Sequence, residues 1–227
     1  MARASIKAVI DIPTVAQLYR ESALQKATSP PPSPSLFQPS TSINSRVGLI
    51  RGDITKLQLD AIVNAANTTL LGGGGVDGAI HRAAGPELLY ECRGIGGCST
   101  GDARLTKGYE LPAQHVIHTV GPIYDRHHPQ TSENLLRSCY QTSLGLAVSS
   151  GIKTLAFSAI STGVYGYPST DAARVACETV RKFLDDDGGA LDRVVFVTFE
   201  QKDVIAYKDA LPSNSSGTDA KDRVSIN

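Results

Sequence analysis

Between residues 47 and 199 the chain alternates short β-branched runs with longer stretches whose apolar residues recur at three- and four-residue steps. Apolar runs of strand length and apolar stripes of helical period therefore follow one another in turn. Strands are expected at Val47 to Arg51, Ala61 to Asn64, Arg104 to Glu110, His115 to Thr119, Thr154 to Ala159 and Arg193 to Phe199. The clearest helix runs from Ser169 to Asp185, where Ala172, Val175, Ala176, Thr179, Val180, Phe183 and Leu184 make one stripe. Pro168 and Asp171 suit its first turn. A second helix covers Ser132 to Val148, with Leu136, Cys139, Tyr140, Leu144 and Ala147 on a common face. Strands separated by helices predict a layered α/β domain around a largely parallel sheet.

The ends read differently. Ile12 to about Ala27 predicts a helix, with Pro13 in its first turn and Val15, Leu18, Tyr19 and Leu24 as a packing stripe. Ser29 to Ser42, SPPPSPSLFQPSTS, favours an extended tether, with Leu36 and Phe37 as its anchors. After Ala210 the sequence turns polar and aperiodic, so a mobile tail is expected. The resulting division is 1–45 for helix and tether, 46–211 for the domain and 212–227 for the tail. No internal repeat is visible.

With 227 residues and 41% hydrophobic content, the chain can bury one substantial core. Lys plus Arg equals Asp plus Glu at 22 each, so no basic excess points to nucleic acid or an anionic membrane. No apolar run approaches the ~20 residues needed to span a bilayer. The first residues carry Arg3 and Lys7, but Asp11 interrupts this weak resemblance to an organelle-targeting segment. A monomeric, intracellular protein of the cytoplasm or nucleus is expected. Cys92, Cys98, Cys139 and Cys177 lack paired spacing, which argues for buried free thiols over a zinc site or disulfides.

Candidate chemistry concentrates between Gly52 and Gly85, GDITKLQLDAIVNAANTTLLGGGGVDGAIHRAAG. A strand runs into two asparagines, four glycines, an aspartate and then a helix. Gly72 to Gly75 permit positive φ and bring backbone N–H groups close to a ligand, and a helix from about Asp77 aims its positive end at the same place. An anion belongs there. Asn64, Asn67 and Asp77 bracket the glycines with amide and carboxylate groups suited to sugar hydroxyls, which together with a phosphate points to a nucleotide-like ligand. A second loop, Ser161 to Gly166 (STGVYG), repeats the strand-to-helix logic through Ser161, Thr162, Gly163, Val164, Tyr165 and Gly166. Two such loops imply a diphosphate, although Gly163 and Gly166 also suit a plain tight turn. Asp53, just beyond the first strand, can accept from an exocyclic amine or cap a turn.

GDIT (Gly52 to Thr55), DAIVNAAN (Asp60 to Asn67), GGGGVDGAIHRAAG (Gly72 to Gly85), the segment Thr100 to Pro122 and ISTGVYGYP (Ile160 to Pro168) resemble, in order and spacing, the macrodomain family. The likeness is to its MacroD-type ADP-ribosyl hydrolases, across roughly residues 46 to 211. The resemblance implies a three-layer α/β/α sandwich around a mixed, largely parallel sheet. It implies ADP-ribose and mono-ADP-ribosylated proteins as partners and no cofactor, and the spacing of the histidines displays no convergent ligands, so no metal is expected. Asp53 and the backbone N–H of Ile54 would hold adenine, and Phe199 would pack against the base where it does not fill the core. Gly73, Gly74, Gly75 and Val76 would line the diphosphate opposite the second loop, and Tyr165 would wall the distal ribose.

Asn67 would orient that ribose and Asp77 would lie near its anomeric carbon. Taken singly, Asp77 also reads as a helix cap and Asn67 as a left-handed turn residue. The implied activity is hydrolysis of the ester between the distal ribose and acidic side chains, with O-acetyl-ADP-ribose as a related substrate. A non-catalytic ADP-ribose reader and an ADP-ribose 1″-phosphatase are the alternatives. His81 is expected to support the loop, His118 to be a satisfied core histidine, and His127 and His128 to be solvated.

Overall fold

The structure, a computed structural model, describes residues 5–24 and 40–215, with side chains to residue 211. Its main sheet has six strands: β2 (Val47–Arg51), β4 (Ala61–Ala66), β5 (Ala103–Lys107), β6 (His115–Val120), β7 (Thr154–Ser158) and β8 (Arg193–Thr198). They lie in the order β2-β8-β7-β4-β6-β5 and are parallel except for β5, which runs antiparallel to β6 at the edge. A small parallel pair, β1 (Lys7–Ala8) with β3 (Leu57–Gln58), stands apart.

Successive side chains of each strand point to opposite faces, and both faces are covered, so the strands read as continuous apolar runs. Ala61, Val63, Leu155, Phe157, Val194 and Phe196 face one core, shared with the helices α5 (Pro129–Ser149), α6 (Ser169–Asp186) and α7 (Gln201–Ser215). Ile62, Val116, Val120, Ala156, Val195 and Val197 face the other, against α3 (Gly75–Ala84) and α4 (Pro86–Ile95). The expected three-layer sandwich around a mixed, largely parallel sheet is what forms.

Strand positions match the reading, with the third predicted strand, Arg104 to Glu110, displaced furthest. It stops at Lys107 instead of Glu110 because the chain turns at Gly108, where an added Cβ would lie 1.9 Å from the Ala113 carbonyl oxygen. At the N-terminus, helix α1 spans only Val15–Arg20, capped by the Thr14 hydroxyl, and the chain turns away at Ser22 with φ 58°. Val15 and Leu24 are nonetheless buried in the first core, and Thr14 bridges to Gly48 of β2. Residues 25–39, with Leu36 and Phe37, fall outside the described residues. The last residues of the expected tether, 40–42, instead cap and start a short helix, α2 (Thr41–Asn44), whose Ile43 joins the core.

The tail needs the largest correction. Helix α7 continues through Ser215, past the proline at which the polar tail was expected to begin. Ala206, Tyr207 and Leu211 bury one face of it, and Tyr207 stacks on Phe196 with ring centroids 4.8 Å apart. This stripe is too short and too interrupted by charge to read as periodic, so tertiary packing supplies the helix that propensity does not.

Candidate active site

The strand β4 places Ile62, Asn64 and Ala66 on the α3–α4 face, and β6 places Val116, His118 and Val120 beside them. Register pairs Asn64 with His118, and both are fully buried. The Asn64 amide nitrogen donates to Asp77 Oδ1 at 2.7 Å and lies 3.1 Å from His118 Nδ1.

Asp77 sits in the first turn of α3 and is almost wholly buried. The helix N-cap is Gly74, so the Asp77 carboxylate is turned inward to Asn64 instead of capping the helix. Burial pushes its carboxyl above the ordinary carboxylate value, and the Asn64 donor and the His81 imidazole, whose Nε2 lies 3.5 Å from Oδ1, pull it back.

The first glycine loop is held by its own backbone. Asn67 Nδ2 donates to the Gly72 carbonyl at 2.8 Å, and its Oδ1 accepts from the Thr69 amide at 3.0 Å and the Thr69 hydroxyl at 2.6 Å. The left-handed residue of this turn is Leu70, φ 60°, not Asn67. An added Cβ at Gly73 would lie 3.3 Å from Asp77 Oδ2 and 3.4 Å from Asn67 Nδ2, so these two side chains flank one backbone position. One at Gly78 would lie 2.3 Å from the Gly73 carbonyl oxygen, so the loop rests directly on the helix behind it. Gly73, Gly74 and Gly75 are exposed, and Val76 is half-buried.

The second loop is held from outside. Asp203 of α7, itself buried, accepts from the Ser169 hydroxyl at 2.7 Å and the Thr162 hydroxyl at 3.3 Å. Lys202 Nζ donates to the Thr162 carbonyl at 2.7 Å. Ser161 is buried with φ 65°, and its Oγ occupies the space that Gly121 leaves, 2.1 Å from where a Cβ there would be. Gly166, φ 67°, closes a turn onto the Gly163 carbonyl. Gly163 and Val164 project into solvent, and Tyr165 is half-buried, its carbonyl accepting from the Tyr124 amide at 2.9 Å.

At the edge of the sheet, β2 and β8 end side by side, so Asp53 and Phe199 emerge together. Asp53 is exposed, and its Oδ1 caps the 3-10 turn Ile54–Lys56 through the Thr55 amide at 2.9 Å and hydroxyl at 2.7 Å. Phe199 is 75% exposed, which rules out core filling, whereas the Ile54 side chain is buried. Beside Asp53 lies a cavity of about 260 Å³ whose rim carries Lys7, Arg51 and Lys56. Sequence reading missed this cationic rim, the Asp203 and Lys202 tethers, and Thr106, which lies 3.0 Å from His118 Nε2. Cross-strand and helix-to-loop partners leave no local signal.

His81, Cys92 and His118 bring their ligating atoms within 4.8 Å of one another. Both His118 nitrogens already have polar neighbours, and burial pushes the Cys92 thiol up to about 11, so the thiol keeps its proton. His128 is exposed and pairs with Asp125 at 2.9 Å, and His127 is exposed as expected. All four cysteines are buried free thiols.

The model of the Macro domain family matches residues 63–176, which take in both glycine loops, Asn64, Asn67 and Asp77. The chain belongs to the macrodomain family. This macrodomain is 53% identical, over 84% of its length and 46% of the relative's, to ADP-ribose glycohydrolase MACROD2 of Xenopus laevis. It therefore spans less than half of that relative. It is 55% identical to the macro domain-containing protein CT2219 of Chlorobaculum tepidum, over 74% of this chain and 96% of that one. Among solved structures it resembles the Trypanosoma brucei macrodomain in complex with ADP-ribose, with a TM-score of 0.76, 44% identity, and coverage of 92% of this chain and 78% of that one. Asp53, Phe199 and Asp203 lie outside the matched segment. Among the described residues no helix of the macrodomain is long and apolar enough to cross a membrane.

Proposed function

We propose that this macrodomain binds ADP-ribose and hydrolyses the ester that joins its distal ribose to an aspartate or glutamate side chain of a protein. The acetyl ester of O-acetyl-ADP-ribose presents the same chemistry to the same site. The observation that carries the reading is the placement of Asp77 and Asn67 on the two sides of Gly73, at the junction of an exposed glycine loop and a helix N-terminus. A carboxylate there, given a donor by Asn64, polarises a water or a ribose hydroxyl. Asn67 holds the loop's carbonyl and faces the sugar, and the released carboxylic acid is a good leaving group.

The loops around Gly73 to Val76 and Ser161 to Gly166 take the diphosphate. Asp53, Ile54 and Phe199 take the adenine end, and Tyr165 covers the distal ribose. The exposure of Phe199 and of the glycines supports this assignment, as does the name of the MACROD2 relative. Four free thiols are in keeping with a reducing, intracellular setting, and the domain acts on the modified proteins as a monomer.

The test is turnover of aspartate- or glutamate-linked mono-ADP-ribosylated protein. Release of ADP-ribose that falls by ~10²- to 10⁴-fold in Asp77→Ala supports the reading. Turnover that is absent, or unchanged in Asp77→Ala, overturns it. Tight ADP-ribose binding in a calorimeter without turnover would make the protein a reader, and faster phosphate release from ADP-ribose 1″-phosphate would make it a phosphatase.

A further inference from the structure

We propose that His118 is a positioning residue for this reaction, acting through the Asn64 amide to keep a hydrogen-bond donor aimed at the Asp77 carboxylate. The inference rests on the hydrolase reading and extends it to a residue that touches no ligand. Both His118 and Asn64 are fully buried and paired in register on adjacent parallel strands.

The protons available fix the arrangement. An amide nitrogen only donates, and it has two hydrogens. One Asn64 N–H reaches Asp77 Oδ1 at 2.7 Å, and the other points to His118 Nδ1 at 3.1 Å. His118 Nδ1 must then be the bare acceptor, which places the ring proton on Nε2, 3.0 Å from the Thr106 hydroxyl oxygen. Thr106 in turn donates to a backbone carbonyl, that of Lys107 at 3.2 Å or Val116 at 3.4 Å.

The opposite tautomer would set an N–H against an N–H. Relief would need the Asn64 amide to invert, and that would put its oxygen against the Asp77 carboxylate. The tautomer of one buried imidazole therefore decides whether Asp77 meets a donor or a lone pair. Burial depresses His118 to about 3, so the ring stays neutral and its Nδ1 stays bare across the working pH range. The other titratable groups near Asp77 are His81 on its own helix and Cys92 from α4, whose sulfur lies 3.8 Å from His118 Nε2.

The full-length chain is compared with His118→Phe, which removes both nitrogens, and with His118→Gln, whose amide can accept from Asn64 and donate to Thr106. Nitrogen NMR of histidine-labelled wild type should show Nδ1 unprotonated and Nε2 protonated. His118→Phe should lower kcat roughly 10- to 100-fold with little change in ADP-ribose affinity, as expected for a misplaced catalytic group. Its acid limb should move to higher pH, because a buried carboxylate that loses an oriented donor is harder to ionise. His118→Gln should recover most of kcat and return the limb.

A proton on Nδ1 in the wild type overturns the proposal. So does a folded His118→Phe with wild-type kcat and pH profile, or a His118→Gln as impaired as the phenylalanine variant. Should His118→Phe fail to fold, the wild-type tautomer and His118→Gln decide. If the wild type itself does not cleave the ester, the hydrolase reading fails separately. The brace is then judged by the tautomer and by carbon NMR titration of Asp77 in wild type and Asn64→Ala, where an unmoved midpoint sinks it.

Discussion

The two glycine-bearing loops do similar work by different means. The first is self-supporting: Asn67 bonds the Gly72 carbonyl five residues on, and the Gly73 carbonyl rests on Gly78 of the helix that follows. The second depends on α7, some forty residues away, whose Asp203 and Lys202 hold Thr162 and Ser169. Short-range bonds close inexpensive loops, whereas the second loop keeps its shape only once the C-terminal helix has docked. Both loops carry strain, the first at Leu70 with φ 60°. Ser161 adopts φ 65° without being glycine, a conformation that persists only where surrounding contacts over-determine it.

The largest effect should come from Gly163→Glu. Nothing lies within 4 Å of an added Cβ there, so the fold should be untouched. A carboxylate facing a bound diphosphate at contact distance costs about 4 kcal/mol per charge pair at a surface-like dielectric. ADP-ribose binding measured by calorimetry should be lost at an unchanged melting temperature, and retained affinity would show that the second loop does not face the diphosphate.

Gly78→Ala tests the first loop. Its Cβ would meet a carbonyl oxygen fixed by the turn, so the variant should lose about 1–3 kcal/mol in denaturant unfolding and bind ADP-ribose poorly. Full stability would mean that the loop lifts off the helix freely, and the self-supporting account would fail.

Asp203→Ala tests the second. It strips two hydroxyls of their acceptor and should cost about 1–2 kcal/mol, with faster amide exchange confined to residues 161–169. Exchange that also rises in the first loop would show that the two are not independently held.

The smallest effect concerns the buried Asp77. Because burial raises the Asp77 carboxyl above its ordinary value, folding favours its protonated form. That contribution is fully present below the unfolded pKa and lost as pH rises through the folded one. Asp77→Asn should therefore melt a few degrees higher than wild type at neutral pH, with the gain vanishing below the carboxylate range. A gain that persists in acid would point to packing instead of charge.

Most of the sheet was legible because each strand is an apolar run bounded by turn residues, and α5 and α6 because their stripes persist over several turns. The candidate site was legible where chemistry sits inside one segment: Asn64, Asn67, Gly73 and Asp77 are close in sequence and close in space. Helix α7 was not, since its buried face amounts to few residues and a proline near its end reads as a stop signal. Neither was the second side of each ambiguity. Phe199 as a core residue and as a surface platform carry the same letters, and only its exposure separates them.

Sequence by itself determined the order of the six main strands with α5 and α6, the two glycine turns and the amide and carboxylate groups beside them. Those properties depend on periodicity and on backbone freedom, which are local. Tertiary structure alone decided that Asn64 turns away from solvent to Asp77, that His118 stands in register behind it and that Asp203 ties down a loop from afar. Each is a contact made by parallel pairing or helix docking, and its partners are separated by chain whose length carries no record of where it returns.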